Sequence, residues 1–104
     1  MAVNVERSTG NVFRDLGFGP KEAESLRLRA ELMMEIKRLI QARNLTQKAA
    51  AKRFGVTQPR ISDLVRGKID LFSIDSLVNM LARAGIQVRL RLAPSRRTPR
   101  HEAA

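Results

Sequence analysis

The part of the chain that most restricts its fold is LTQKAAAKRFGVTQPRISDLVRGK, which runs from Leu45 to Lys68. Its pattern predicts one short helix over Gln47–Phe54 and a second over Gln58–Val65. Gly55 lies between them and can adopt the positive φ that a tight turn requires. A threonine precedes each helix, and threonine is a favourable N-cap residue. We therefore expect two short helices that cross each other directly after a tight turn.

The apolar residues of this stretch suit such a crossing. Ala50 and Ala51 are small enough for the second helix to approach the first closely. Val56, Ile61 and Leu64 provide the apolar inner face of the second helix. This pattern is typical of a helix–turn–helix unit.

The outer face of the second helix is polar near its N-terminus. It offers Thr57, Gln58, Arg60, Ser62 and Asp63. In the DNA major groove, glutamine can form two hydrogen bonds with adenine and arginine two with guanine. We therefore predict that the second helix reads base edges.

The chain is strongly basic, with 20 lysines and arginines against 10 acids and a formal net charge of +10. Residues 37–68 hold nine bases and one acid, a local net charge of +8. A charge run alone usually marks a solvated face, but beside this motif it favours binding to DNA phosphates. RNA and an anionic membrane surface are alternative partners. The membrane alternative requires an exposed apolar helix face, whereas the apolar faces here are needed for a core.

Two further helices flank the motif. Apolar residues at helical spacing predict a long helix over Pro20–Arg43. Ser73 is suited to cap a last helix, which Gly85 ends. We expect an all-α fold of five helices over residues 20–92. An arm of residues 1–19 with at most one helical turn precedes it, and a disordered basic tail of residues 93–104 follows it.

The period changes to two after the last helix, which predicts a strand over residues 86–92. A lone strand needs a partner for its backbone groups. We expect it to pair with the same strand of a second subunit, with Val3–Val5 of the same chain as the alternative. A homodimer would place two recognition helices in major grooves about 34 Å apart on a palindromic operator. The predicted dimerisation residues are Ile86, Val88, Leu90 and Leu92.

The stretch from Leu45 to Lys68 resembles the helix–turn–helix of Cro/repressor-like (Xre-type) regulators, which have a lambda-repressor-like fold and bind double-stranded DNA. The resemblance lies in the LTQ start, the spacing of Ala51, Gly55, Ile61 and Leu64, and the final GK. It implies that Gln47 contacts a phosphate, that Gln58, Arg60 and Asp63 face bases, and that Ser62, Arg66 and Lys68 lie nearer the phosphates. The whole predicted DNA-binding set is Thr46, Gln47, Lys48, Thr57, Gln58, Pro59, Arg60, Ser62, Asp63, Arg66 and Lys68.

A longer resemblance extends to both sides of the motif. GNVFRDLGF before the long helix, and FSIDSLVNMLARAG followed by IQVRLRL after the motif, are similar to a HigA-type antitoxin subgroup. The similarity implies a repressor of its own operon that also neutralises a ribonuclease toxin. The candidate toxin-binding residues, which could equally cover the protein's own core, are Val12, Phe13, Leu16 and Phe18.

Other classes of function have less support. No nucleophile–base pair or metal-ligand cluster is visible, so we expect neither an enzyme nor a cofactor or metal site. No apolar run approaches the length of a membrane span, and no targeting segment is evident. We therefore expect a cytoplasmic protein. Two alternatives to the antitoxin are a stand-alone Xre-type regulator and a protein-binding inhibitor whose DNA binding is secondary.

Overall fold

The computed structural model describes residues 2–7, 17 and 19–93. These residues form four α-helices, one 3-10 turn and two strands, where five helices and one strand were expected. In chain order they are β1 (Ala2–Arg7), α1 (Pro20–Ala42), α2 (Gln47–Phe54), α3 (Gln58–Val65), the 3-10 turn Ile69–Leu71, α4 (Ile74–Arg83) and β2 (Gln87–Leu92).

The long helix α1 provides one wall of the core. Pro20 occupies its first turn, where the missing N–H group costs no hydrogen bond. Leu32, Ile36 and Ile40 recur at helical spacing and are all buried. The helix ends one residue before the predicted Arg43, and Asn44 then takes a left-handed φ of 56°. This backbone reversal directs the chain into α2.

The two short helices α2 and α3 have the bounds that the sequence predicts. The Thr46 hydroxyl accepts a hydrogen bond from the Ala49 amide at 3.1 Å, so the predicted cap of α2 is confirmed. Gly55 has a φ of 71°, and the Val56 amide donates to the Ala51 carbonyl at 2.9 Å across the turn. Thr57 is the N-cap residue of α3, as predicted, but its side chain forms no cap hydrogen bond; its backbone carbonyl accepts from the Arg60 and Ile61 amides at 3.1 and 3.2 Å.

The helix α4 closes the other side of the core. Ser73 and Ser76 form reciprocal hydrogen bonds between side chain and backbone, a complete capping box. Leu77 and Leu81 are fully buried, and Gly85 ends the helix with a φ of 79°. The short loop at Gly85 leads directly into β2.

The sheet departs most from the prediction. Strand β2 pairs in parallel with β1 of the same chain, with Val3 opposite Val88 and Val5 opposite Leu90. Val3 and Val5 are buried, whereas Val88 is half-buried and Leu90 is 58% exposed. The partner of β2 is therefore the alternative segment of the same chain, which contains Val3 and Val5. These two valines, spaced two residues apart, supply an apolar face for the core. Part of the expected arm thus belongs to the domain.

The structure does not test two of the predicted features. Val12, Phe13, Leu16 and Phe18 lie outside the described residues, and so does the tail from residue 94 onward. Within the described residues, no helix is long and apolar enough to cross a membrane.

The burial of β1 leads to a prediction about stability. Val5→Ala should lower the free energy of unfolding by about 1.5–3 kcal/mol, because two methyl groups leave a site that is 1% exposed. Asn4→Ala, on the exposed side of the same strand, is the matched control and should change little. Urea unfolding of both variants measures the difference. Equal midpoints for the two variants would contradict the packing of β1 on the core.

Candidate nucleic-acid interface

The outer surface of α3 presents a continuous polar row. Successive residues of an α-helix turn by about 100°, so Gln58, Ser62 and Arg66, spaced four residues apart, lie close to one line. Gln58 and Arg66 are exposed and Ser62 is half-buried. The opposite side of the helix is anchored by Ile61 and Leu64, which are at most 2% exposed. This anchoring holds the polar row outward on a rigid support.

Two further predicted residues lie beside this row. Pro59 is exposed in the first turn of α3, and its ring removes one backbone donor there. Asp63 is half-buried, and its carboxylate lies 3.6 Å from the Lys68 ammonium. Lys68 also donates its backbone N–H to the Asp63 carbonyl at 3.0 Å. The C-terminal end of α3 is therefore held by an ion pair, and the single acid of this region is partly neutralised within the chain.

The N-terminus of α2 supplies an exposed group of polar side chains. Thr46, Gln47 and Lys48 are all exposed there, while Ala50 and Ala51 of the same helix are buried. The first backbone N–H groups of a helix carry a partial positive charge and favour an anion. A lysine at this end adds a full charge. The group is thus suited to a phosphate, as the resemblance implies.

Several basic side chains of this region carry uncompensated charge. Lys48, Lys52 and Arg66 are exposed, and none of them forms an ion pair within the described part of the chain. Arg38, in contrast, is paired with Glu35 at 2.6 Å. Uncompensated cations on one motif are available to phosphates, and releasing counterions from DNA is the main source of their binding free energy.

Arg60 is placed differently from the other predicted reading residues. Its Nη1 donates to the Leu71 carbonyl at 2.7 Å. Its guanidinium carbon lies 4.2 Å from the centre of the Phe72 ring. The side chain is thus engaged with the turn that follows α3, whereas the outer row of α3 points away from that turn.

A second arginine, which sequence reasoning missed, reaches the same turn. Arg29 of α1 lies with its Nη1 3.4 Å from both the Ile69 and the Phe72 carbonyls. Its Nε is buried and has no hydrogen-bond partner among the described residues. No sequence signal links Arg29 to this turn, because 40 residues or more separate them in the chain.

The described residues form no metal-binding cluster, but they do form a groove beside the two arginines. No three histidine, cysteine, aspartate or glutamate side chains within the described residues lie close enough together to hold a metal ion. An open groove of about 520 Å³ lies between α1, α3 and the start of α4. Its lining includes Arg29, Arg60 and Phe72, so it borders the contacts just described.

Comparisons with known proteins agree with this geometry. A family model described as a helix-turn-helix domain matches residues 12–93. A solved structure described as a "Putative XRE Family Transcriptional Regulator" is 28% identical, with a TM-score of 0.65. The match covers 74% of this chain and 86% of that one. The search of curated proteins found no match. With the family model covering most of the chain, and with α2, Gly55 and α3 arranged as above, this protein belongs to the helix-turn-helix domain family.

Proposed function

We propose that this protein is a sequence-specific DNA-binding transcriptional regulator that represses its own promoter. The observation that carries the proposal is the polar row of Gln58, Ser62 and Arg66 on a short helix whose reverse side is buried. A helix with this arrangement fits the major groove, where its N-terminal residues meet base edges. The similarity to the solved structure named as an XRE-family regulator supports the same class of function.

Base reading and phosphate binding fall to different residues in this proposal. Gln58 can bond to adenine, and Asp63 can accept a hydrogen bond from the cytosine amino group. Gln47 and Lys48 would contact phosphates, and Lys68 would do so by giving up its ion pair with Asp63. Such contacts orient the protein on the duplex but carry no sequence information. Specificity therefore depends on the outer face of α3 and affinity on the cations around it.

A pair of matched variants tests the division between reading and affinity. Gln58→Ala should cost about 1–3 kcal/mol on the operator and relax the preference at one base pair of each half-site. Lys48→Ala should weaken binding to all sequences alike and reduce the slope of log affinity against log salt by about one. Lys21→Ala, which removes an exposed charge at the far end of α1, is the control and should bind as the wild type does.

Fluorescence anisotropy with promoter and random duplexes measures these effects. If about six to ten phosphates are contacted, wild-type affinity should fall roughly 10³–10⁵-fold between 50 and 200 mM salt. Equal affinity of the wild type for promoter and random DNA would contradict sequence-specific binding. If Gln58→Ala leaves the ratio of promoter affinity to random-DNA affinity unchanged, base reading by Gln58 is contradicted, but the rest of the proposal is not.

The proposal includes a homodimer on a palindromic operator. Strand β1 occupies one edge of β2, and within the described residues the other edge has no partner strand. Leu90 and Leu92 on β2 are 58% and 72% exposed, which is unusual for large apolar side chains. A two-fold pairing of the free β2 edges would cover both leucines and their unpaired backbone groups. The strand thus keeps its proposed role in dimerisation, but through its outer edge.

Two charge substitutions on β2 test the dimer. Leu90→Asp should convert the dimer to a monomer without unfolding it, because this side chain is already exposed in the single subunit. Operator affinity should fall with it, since one half-site supplies half of the contacts. Arg89→Asp should leave the dimer intact. Sedimentation at micromolar concentration separates the cases, and a monomeric wild type or a dimeric Leu90→Asp would contradict this interface.

A finer proposal is that the repressor is an antitoxin that neutralises a ribonuclease toxin. Its support is the similarity of the sequence on both sides of the motif to HigA-type antitoxins. The stand-alone regulator and the protein-binding inhibitor remain the alternatives. The candidate toxin-binding residues, which include Phe13 and Leu16, precede α1 in the sequence.

Co-expression with the product of the neighbouring reading frame tests the antitoxin role. That product should inhibit growth when it is expressed alone. The wild-type protein should co-purify with it and restore growth. Leu16→Asp should abolish both effects and leave operator binding unchanged, while Arg14→Ala serves as the control. A neighbouring product that neither binds nor inhibits growth would favour the stand-alone regulator.

A further inference from the structure

We infer that Arg60 is a positioning residue that fixes the angle of α3 and does not itself read a base. The inference rests on the proposed function, because it assigns a role within DNA recognition. It replaces the expectation from the sequence that Arg60 faces bases, and it follows from three observations.

The first observation is where Arg60 lies on the helix. Arg60 and Ser62 are two residues apart, so they lie about 160° apart around the axis of α3. Arg60 shares its side of the helix with Leu64, four residues later, which is 2% exposed. Among the polar residues of α3 it therefore lies farthest from the outer row. An arginine there would have to bend around the helix to reach a base.

The second observation is what the Arg60 side chain contacts. Nη1 donates to the Leu71 carbonyl at 2.7 Å, and the guanidinium lies over Phe72 at 4.2 Å. Phe72 is 2% exposed, so one face of the cation is shielded from water by a buried ring. A cation on an aromatic face is held more strongly when water is excluded. Leaving this position to reach a base would break both contacts.

The third observation is the second arginine on the same turn. Arg29 of α1 and Arg60 of α3 direct their donors at three carbonyls of one short segment, those of Ile69, Leu71 and Phe72. The segment thereby joins the long helix of the core to the recognition helix. The same segment continues into the capping box of α4 at Ser73. A change at Arg60 should therefore tilt the whole outer row of α3.

The two roles of Arg60 predict different patterns of specificity. A base-reading arginine, when removed, relaxes the preference at one base pair and leaves the others intact. A positioning arginine, when removed, weakens the preference at every position that α3 reads. Loss of its aromatic partner should have the same effect, although Phe72 is buried and touches no DNA.

The experiment measures binding of each variant to a panel of operators with every single base-pair substitution in one half-site. Arg60→Ala and Phe72→Leu should each lower operator affinity about ten-fold and flatten the preference across the half-site. The double variant should be no more than about two-fold weaker than the weaker single variant, because both changes remove the same contact between Arg60 and Phe72. Arg60→Gln, which keeps a planar donor for the Leu71 carbonyl, should be intermediate.

Wild type and Gln58→Ala in the same panel distinguish a failure of the proposed function from a failure of the role assigned to Arg60. If the wild type shows no preference, the proposed function fails. If Gln58→Ala relaxes one position as expected, and Arg60→Ala also relaxes one position while Phe72→Leu has no effect, only the role of Arg60 is overturned. Additive losses in the double variant would overturn it as well. Should Arg60→Ala not fold, the comparison of Arg60→Gln with Phe72→Leu decides by the same criteria.

Discussion

The packing of α3 against the rest of the domain through Ile61 and Leu64 is the constraint on which the other features depend. Both side chains are almost fully buried, and they determine which face of the helix points outward. Gly55 makes that packing possible, because its left-handed φ of 71° reverses the chain within one residue. A Cβ atom at this position would lie 2.9 Å from Cγ of Arg83, so a larger residue would press against α4. The polar row of α3 is thus exposed because Ile61 and Leu64 on the opposite side of the helix are buried.

Electrostatics divides the same surface into two kinds of arginine and lysine. Some cations are engaged within the chain, as Arg60 is with the Leu71 carbonyl and Arg38 with Glu35. Others, such as Lys48 and Arg66, are exposed and have no acidic partner in the described residues. In the proposed complex with DNA, only the second kind would bind phosphates without a cost, since a cation that already has a partner must give it up first. Counting basic residues therefore overestimates the charge available to DNA.

The parallel pairing of β1 with β2 limits how the proposed dimer could form. One edge and part of one face of β2 are satisfied within the subunit, where Val3 and Val5 complete the core. Any pairing between subunits must then use the other edge, near the exposed Leu90 and Leu92. In the proposed dimer, dimerisation and folding are therefore separable, because Leu90 is 58% exposed and lies outside the core of the single subunit. A strand paired only across a dimer would have coupled the two.

The sequence alone determined the local structure of this protein and the identity of its motif. The bounds of α2 and α3 agree with the prediction because threonines, Gly55 and apolar spacing act within a few residues of one another. The position of β2 likewise follows from its two-residue alternation. Only the tertiary structure decided that β1 pairs with β2, that Thr57 makes no side-chain cap, and that Arg29 and Arg60 hold one turn. These features depend on residues that are distant in the chain, and no local pattern encodes which of several suitable partners folding brings into contact.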